Sequence, residues 1–224
     1  MMARRPALAE LLGTCSHKEF RALRVPFTTA IVLSVLAYVW LVEGKLPREV
    51  VVVPFTLVVM LTVRHNWRHG DWGFSRRALG PGLGYVLAIT VPLTLVILSA
   101  GAAIGTLHDR RDFLGSLAPL VAWGGAQQWV LQTVVLHEAQ RTTGRRHGIV
   151  IAALLFGVVH LPNPFLTAVT FGGGLVWCWL YDRYPHIFPL ALSHGLGTLA
   201  ILYAFDATIT GRLRIGASYL RLNP

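Results

Sequence analysis

Acidic side chains are scarce in this chain. Its 224 residues hold 10 Asp and Glu against 20 Lys and Arg, and charged residues make up only 13% of the sequence while hydrophobic ones make up 54%. A soluble domain carries about a quarter charged residues, so the composition argues against a water-soluble globular enzyme. The net charge of +10 would suggest nucleic acid in a soluble protein. In an apolar chain it indicates cytoplasmic loops and anionic headgroups, so we expect a lipid bilayer as partner and no nucleic acid.

Cysteine is also nearly absent. The two cysteines, Cys15 and Cys178, lie in a polar N-terminal segment and in an apolar run, so a disulfide between them is not expected. No paired Cys-x-x-Cys or Cys/His spacing typical of zinc sites is present. The sequence therefore predicts no metal centre and no cofactor.

Residues 1–25 lack the apolar core and the small-residue cleavage site of a signal peptide. Five basic residues among scattered Leu and Phe predict a basic amphipathic segment at the headgroups, with a disordered basic tail as the alternative. No repeat or linker divides the remaining residues. We expect a single membrane domain over 26–205 and a C-terminal tail over 206–224.

Long apolar runs dominate the rest of the chain. In order, they cover 26–42, 50–63, 81–105, 113–136, 148–161, 164–181 and 187–205. A membrane-spanning helix needs about 20 residues, so the runs at 50–63 and 148–161 are short and would tilt or borrow flanking residues. The pattern predicts an all-α, polytopic transmembrane bundle of about seven spans, within a range of six to eight.

Basic residues are distributed unevenly between the two sets of loops. Thirteen of the 20 lie at the N-terminus and in the loops that follow every second span, and seven lie in the alternate loops and the tail. The positive-inside rule therefore places the N-terminus in the cytoplasm and the protein in the plasma (inner) membrane. The tail, with Arg212, Arg214 and Arg221, is discordant, and a missed span or a re-entrant segment would move it to the cytoplasm.

Polar side chains inside apolar runs are costly in a bilayer and indicate a function or a partner. The fourth run contains Gln127, Gln128 and Gln132. Gln128 and Gln132 are four residues apart and share one helical face, and Gln127 lies about 100° away. The alternative to a site is hydrogen bonding that only joins helices.

Two histidines lie in later runs. Phe156 and His160 are four residues apart, and so are His194 and Thr198. Imidazole can act as an acid, base, donor or metal ligand. Two histidines without a nearby carboxylate lack the ligands of a closed zinc site, so we predict a non-metal polar pocket.

In this order, the three blocks resemble the CAAX protease and bacteriocin-processing family of membrane-embedded proteases, also called the Abi family. Its pattern is Glu-Glu-x-x-x-Arg, then Phe-x-x-x-His, then His-x-x-x-Asn or Asp. Here FGVVH matches the second block fully, SHGLGT places Thr198 at the usual Asn or Asp, and QQWVLQ puts glutamine at both glutamates and at the arginine. The resemblance covers about 113–205.

The resemblance implies peptide-bond hydrolysis within or next to the membrane, on a membrane-associated peptide or protein. By position, Gln127 with His160 would activate water, and His194 with Thr198 would stabilise the oxyanion. Gln128 holds the second glutamate position, and Gln132 and Phe156 would support the pocket. A neutral carboxamide cannot accept a proton, so Gln127 can only hold a water by hydrogen bonds.

No acid replaces the missing glutamates. All ten lie outside the apolar runs: Glu10, Glu19, Glu43, Glu49, Asp71, Asp109, Asp112, Glu138, Asp182 and Asp206. The nearest, Glu138, is about 16 Å along a continuous helix from Gln127, beyond the reach of a general base unless the helix breaks.

Three functions stay open at this point. The protein is a peptidase that uses His160 as its base, or a pseudoprotease that binds membrane peptides or partners without cleaving them. A small transporter or channel with a polar Gln/His path is the third, and it has no motif of its own.

Overall fold

The chain is a bundle of helices in a computed structural model that describes residues 26–43, 45, 47–108 and 113–222. The segment predicted over 1–25 lies outside these residues. The α-helices are α1 Phe27–Ala37, α2 Val52–His69, α3 Arg76–Ala103, α4 Phe113–Val130, α5 His137–Thr143, α6 Arg145–Val158, α7 Pro164–Tyr181, α8 Ile187–Ala204, α9 Ala207–Thr210 and α10 Gly216–Leu220. Two π-helical segments, Tyr38–Val42 and Leu131–Leu136, extend α1 and join α4 to α5, and two 3₁₀ turns, Arg48–Val51 and Gly211–Leu213, precede α2 and α10.

The predicted all-helical polytopic bundle is confirmed. Four helices are long and apolar enough to cross a membrane, namely Glu49–His69, Arg76–Ala103, Pro164–Tyr181 and Ile187–Ala204. A shorter apolar helix covers Phe27–Val42. Each of the seven predicted apolar runs overlaps a helix, and α4, the π segment and α5 form one uninterrupted helix over 113–143.

Helix ends follow the local chemistry of the sequence. The α2 helix stops at Gly70, whose φ of +73° is left-handed and costs glycine little. After α6, the side chain of Asn163 accepts a hydrogen bond of 3.0 Å from the Leu166 amide and caps α7. Pro164 follows at the first helical position, where a missing N–H costs nothing. These signals separate α6 from α7 and leave His160 in the turn between them.

One end of the bundle, called here the Phe27 end, gathers the start of α1 with the loops after α2, α5 and α7. The Glu138 carboxylate on α5 accepts the backbone amides of Phe27 and Thr28 at 3.1 and 2.8 Å. Arg145 Nε donates to Asp182 Oδ2 at 2.6 Å and so joins the α5–α6 turn to the α7–α8 turn.

The opposite end, called here the Pro162 end, gathers the end of α1, the α6–α7 turn and the C-terminal helices. The Gly216 amide donates to the Leu161 carbonyl at 2.8 Å, and Asn163 Nδ2 donates to the Arg214 carbonyl at 3.0 Å. A Cβ at Gly216 would meet the Val39 backbone, so α10 lies directly on the π segment that extends α1. The described part of the basic tail thus docks at the end away from Phe27, and it contains no helix long enough to be a candidate span.

Helix α8 is the most buried of the four candidate spans. Two glycines allow α4 and α8 to approach closely. A Cβ at Gly124 would lie 2.9 Å from His194 Cβ, and a Cβ at Gly195 would lie 2.9 Å from the Val121 backbone nitrogen. This close packing fixes the face of α8 that carries His194 against the glutamine-bearing face of α4.

Candidate active site

Two buried glutamines and a histidine form a hydrogen-bonded chain between α4, its π extension and α8. Gln132 Nε2 donates to Gln128 Oε1 at 2.8 Å, and Gln128 Nε2 lies 3.4 Å from His194 Nδ1. Gln128 is fully buried and Gln132 is 1% exposed. The predicted i, i+4 pairing of these glutamines is present in the structure, and the pair contacts a second helix, α8, through His194.

The donor-to-acceptor direction of the hydrogen bond between Gln132 and Gln128 determines the tautomer of His194. Because the Gln128 oxygen accepts from Gln132, its nitrogen is the atom that faces the imidazole and must donate. His194 Nδ1 is then the acceptor, and the proton of the neutral ring lies on Nε2. His194 therefore offers an N–H donor on its other side.

His160 has the opposite arrangement. Its Nδ1 lies 2.6 Å from the Phe156 carbonyl oxygen, which can only accept, so this nitrogen carries the proton. The lone pair of the neutral ring is left on Nε2, where it can accept a proton or a hydrogen bond. The two histidines thus offer one acceptor and one donor.

An aromatic group brings the second and third blocks together. The Phe156 ring makes edge contacts with His160 at 5.0 Å and with His194 at 6.2 Å between centroids. His194 also stacks on Trp177, at 4.8 Å and an interplanar angle of 7°. Aromatic rings therefore flank both imidazoles, and the Trp177 ring also donates its N–H to Ser193 Oγ at 3.0 Å.

Two predicted site residues, Gln127 and Thr198, lie outside the hydrogen-bonded chain of Gln132, Gln128 and His194. Gln127 is half-buried, and its Oε1 atom is buried with no hydrogen-bond partner among the described residues. Thr198, one turn beyond His194, is also half-buried and makes no side-chain hydrogen bond to the described residues. The predicted pairing of Gln127 with His160 has no hydrogen bond between the two side chains within the described chain.

Glu138 is engaged elsewhere. Its two carboxylate oxygens bind the first amides of α1, as described above, and the helix between it and Gln127 does not break. The π segment Leu131–Leu136 adds a wider turn between them, and all six of its residues are buried. Glu138 therefore stabilises the start of α1 and is not part of the pocket.

A second polar cluster was not predicted. His65 and His69 on α2 and His137 on α5 place one ring nitrogen each within 4.8 Å of the others. The signal in the sequence is the i, i+4 pair in HNWRH, which puts both α2 histidines on one face. A cavity of about 180 Å³ adjoins this cluster, and His137 and Gln132 both line it.

Comparison with known proteins supports the resemblance given by the three blocks. Residues 111–200 match the model of the family described as type II CAAX prenyl endopeptidase Rce1-like. This range contains the glutamines, Phe156, His160, His194 and Thr198. No curated protein and no solved structure is significantly similar to the chain.

Proposed function

We propose that the protein is a membrane-embedded pseudoprotease of the CAAX protease and bacteriocin-processing family, which the match of residues 111–200 to the type II CAAX prenyl endopeptidase Rce1-like model supports. It binds a membrane-associated peptide in the pocket of a CAAX endopeptidase-like fold and does not cleave it efficiently. The observation that carries this proposal is the neutral chain from Gln132 through Gln128 to His194.

The chemistry of cleavage lacks its carboxylate base. An amide cannot take a proton from water, and no carboxylate among the described residues bonds to Gln127, Gln128, His160 or His194. The loss of a general base lowers a rate by about 10²–10⁴. Compared with the family pattern, glutamine at positions 127, 128 and 132 removes the charges of two glutamates and one arginine from the membrane interior. An unpaired Arg at position 132 would be costly there.

The same groups suit the binding of a peptide backbone. Gln127 and Gln132 each have a buried side-chain oxygen without a partner among the described residues, and an oxygen of this kind can accept a peptide N–H. The His194 Nε2–H can donate to a peptide carbonyl. Phe156 and Trp177 supply apolar surface next to these polar groups.

A weak peptidase is the second candidate, and the two histidine tautomers favour it. The free Nε2 lone pair of His160 suits a general base, and the Nε2–H of His194 suits an oxyanion donor. In that case His160 alone would activate the water.

One experiment separates the two. Purified protein in nanodiscs is mixed with a labelled peptide that ends in a prenylated cysteine motif, and binding is followed by anisotropy and cleavage by mass spectrometry. We expect binding without cleavage in the parent, weaker binding in Gln128→Leu, and a gain of cleavage in Gln127→Glu or in Gln127→Glu/Gln132→Arg. His147→Ala, an exposed histidine on α6, is the matched control for His160→Ala.

The outcomes are distinct. Cleavage by the parent that disappears in His160→Ala but persists in His147→Ala would replace the pseudoprotease with the peptidase. Failure of the peptide to bind to the parent and to both glutamate variants would refute a peptide pocket of either kind.

A further inference from the structure

Three histidines that are not part of the glutamine chain converge where α2 packs against the π segment and α5. The ring centroids of His65, His69 and His137 lie 4.5, 5.1 and 4.8 Å apart in pairs. One nitrogen from each lies within 4.8 Å of the other two. None of these residues takes part in the function proposed above.

His65 is held in the form that a metal ligand needs. It is fully buried, and its Nδ1 lies 3.2 Å from Asn66 Oδ1. The Asn66 amide nitrogen is engaged in donating to Thr133 Oγ1 at 3.0 Å, so Asn66 presents its oxygen and His65 Nδ1 carries the proton. The lone pair is therefore on Nε2, which is buried and has no partner in the described structure.

This arrangement is the usual support of a metal-bound imidazole, in which the second ring nitrogen donates to an oxygen and fixes the tautomer. Thr133 continues the support, because its hydroxyl donates to the Trp129 carbonyl at 2.7 Å. A buried acceptor left without a donor destabilises the fold, and a metal ion bound to it would remove that penalty. The same holds for His137, whose Nε2 is also buried and unpartnered among the described residues.

His69 completes the cluster from its exposed side. It lies one turn beyond His65 on α2, and its Nδ1 accepts a hydrogen bond of 3.2 Å from the Arg141 guanidinium. Arg141 therefore competes with a metal ion for this imidazole, both by its hydrogen bond and by its charge. Glu138 beside His65 and Asp71 beside His137 oppose that charge.

We propose that His65, His69 and His137 bind a divalent transition metal ion of the Zn²⁺ class. Imidazole nitrogen suits Zn²⁺ and its neighbours and does not suit Mg²⁺ or Ca²⁺, which prefer oxygen. With Zn–N bonds of about 2.0–2.1 Å, a tetrahedral site separates its ligand atoms by about 3.3 Å, so the three nitrogens need to close by about 1.5 Å at most. Three protein ligands leave the fourth position to water.

The proposed centre adjoins the candidate active site. His137 follows the π segment that begins after Val130, and it lines the same cavity as Gln132. An ion held by His65 and His137 would join α2 to the long helix that carries the glutamines. The metal is thus expected to order the Phe27 end of the bundle whether or not the pocket is catalytic.

The test uses full-length protein purified without a polyhistidine tag, stripped with a chelator and reloaded by dialysis against Zn²⁺. We expect about one Zn²⁺ per chain by elemental analysis and, with Co²⁺, the visible absorption of a tetrahedral nitrogen-ligated ion. His69→Gln and His137→Gln should each weaken binding more than about 100-fold, exceeding the usual effect of losing a supporting residue. His147→Gln, at an exposed histidine outside the cluster, should bind as the parent does.

Arg141→Gln provides the sharper variant, because it should tighten binding by removing the competitor of His69. Its expected effect is a gain, which misfolding cannot imitate. The parent failing to take up stoichiometric Zn²⁺ or Co²⁺, or His69→Gln and His137→Gln binding as tightly as His147→Gln, would overturn the proposal.

Discussion

Gln128 on α4 and His194 on α8 face each other across 3.4 Å, with the amide nitrogen of the first donating to Nδ1 of the second. This contact directs the His194 proton to Nε2 and holds the ring against Trp177. A glutamate at position 128 has only acceptor oxygens when ionised, so it would require the proton on Nδ1. The glutamine therefore determines the donor and acceptor pattern of the pocket, not only its charge.

Gly124 is expected to tolerate no side chain. In Gly124→Ala the new Cβ would lie 2.9 Å from His194 Cβ and Cγ, so α4 and α8 must separate at a cost of about 1–3 kcal/mol. Gly197→Ala is the matched control, because nothing lies within 4 Å of its Cβ, and alanine improves helix propensity. Thermal unfolding in detergent should show a lower midpoint for Gly124→Ala only. Equal midpoints for the two variants would contradict the close approach of α4 and α8.

Glu138 is expected to act as the cap of α1. Pro26 precedes this helix and offers no side-chain cap, so Glu138→Ala removes both acceptors of the Phe27 and Thr28 amides at a cost of about 0.5–2 kcal/mol. Hydrogen exchange at the start of α1 should speed up in this variant and less in Glu138→Gln. The exposed Glu49→Ala is the control. Unchanged exchange in Glu138→Ala would refute the cap.

A variant of Glu138 also tests whether this carboxylate takes part in catalysis. If the Gln127→Glu variant cleaves peptide, adding Glu138→Ala should leave its rate unchanged, since the carboxylate is bound to the α1 backbone. A large loss of rate at unchanged stability would instead make Glu138 a participant in catalysis.

His186 is expected to make stability depend on pH. Its Nδ1 accepts the Phe188 amide at 3.2 Å and caps α8, which requires a neutral ring, and desolvation lowers the pKa of His186. A histidine with a lowered folded pKa contributes its full stability above the unfolded pKa of about 6.5 and loses it as the pH falls toward the folded value. His186→Asn keeps a capping side chain that does not titrate.

The measurement compares the thermal midpoints of the parent and His186→Asn between pH about 7.5 and about 5.5. The difference between the two proteins isolates His186 from the other histidines. The parent should lose more stability on acidification than the variant, and parallel curves would show that the cap does not depend on the ring charge.

The two ends of the bundle are expected to face different compartments. The excess of basic residues at the Phe27 end predicts that it is cytoplasmic. In a Cys15→Ser background, a membrane-impermeant thiol reagent should label Arg221→Cys in intact cells and Arg146→Cys only after permeabilisation. Both positions are exposed, and the native Cys178 is buried. Labelling of both from the same side would contradict this topology.

The helices could be predicted from hydropathy where apolar side chains predominate along the whole helix. The runs 164–181 and 187–205 match α7 and α8 within one residue, because most lipid-facing and most core-facing positions are apolar. The run that ended at Val63 was cut short, since α2 continues to His69 through His65 and Asn66, which are fully buried. Their burial depends on partners such as Thr133 on a distant part of the chain, which hydropathy cannot register.

Hydropathy did not predict the histidine cluster for the same reason, since it does not register tertiary partners. A segment assigned to a loop does not suggest that its i, i+4 histidines face a neighbouring helix. The glutamine pair was predictable because Gln128 and Gln132 interrupt an apolar run on one helical face. Their link to His194, the isolation of Thr198 and the role of Glu138 needed the tertiary structure, which includes a π segment that no pattern in the sequence announces.

His160 lies in the α6–α7 turn at the Pro162 end, and the histidine cluster lies by the start of α1 at the Phe27 end. An ion would therefore enter from one compartment, while a peptide would reach His160 more directly from the other. Occupancy of the cluster would therefore depend on the metal supply of the compartment that the Phe27 end faces, and not on the side from which a peptide reaches His160.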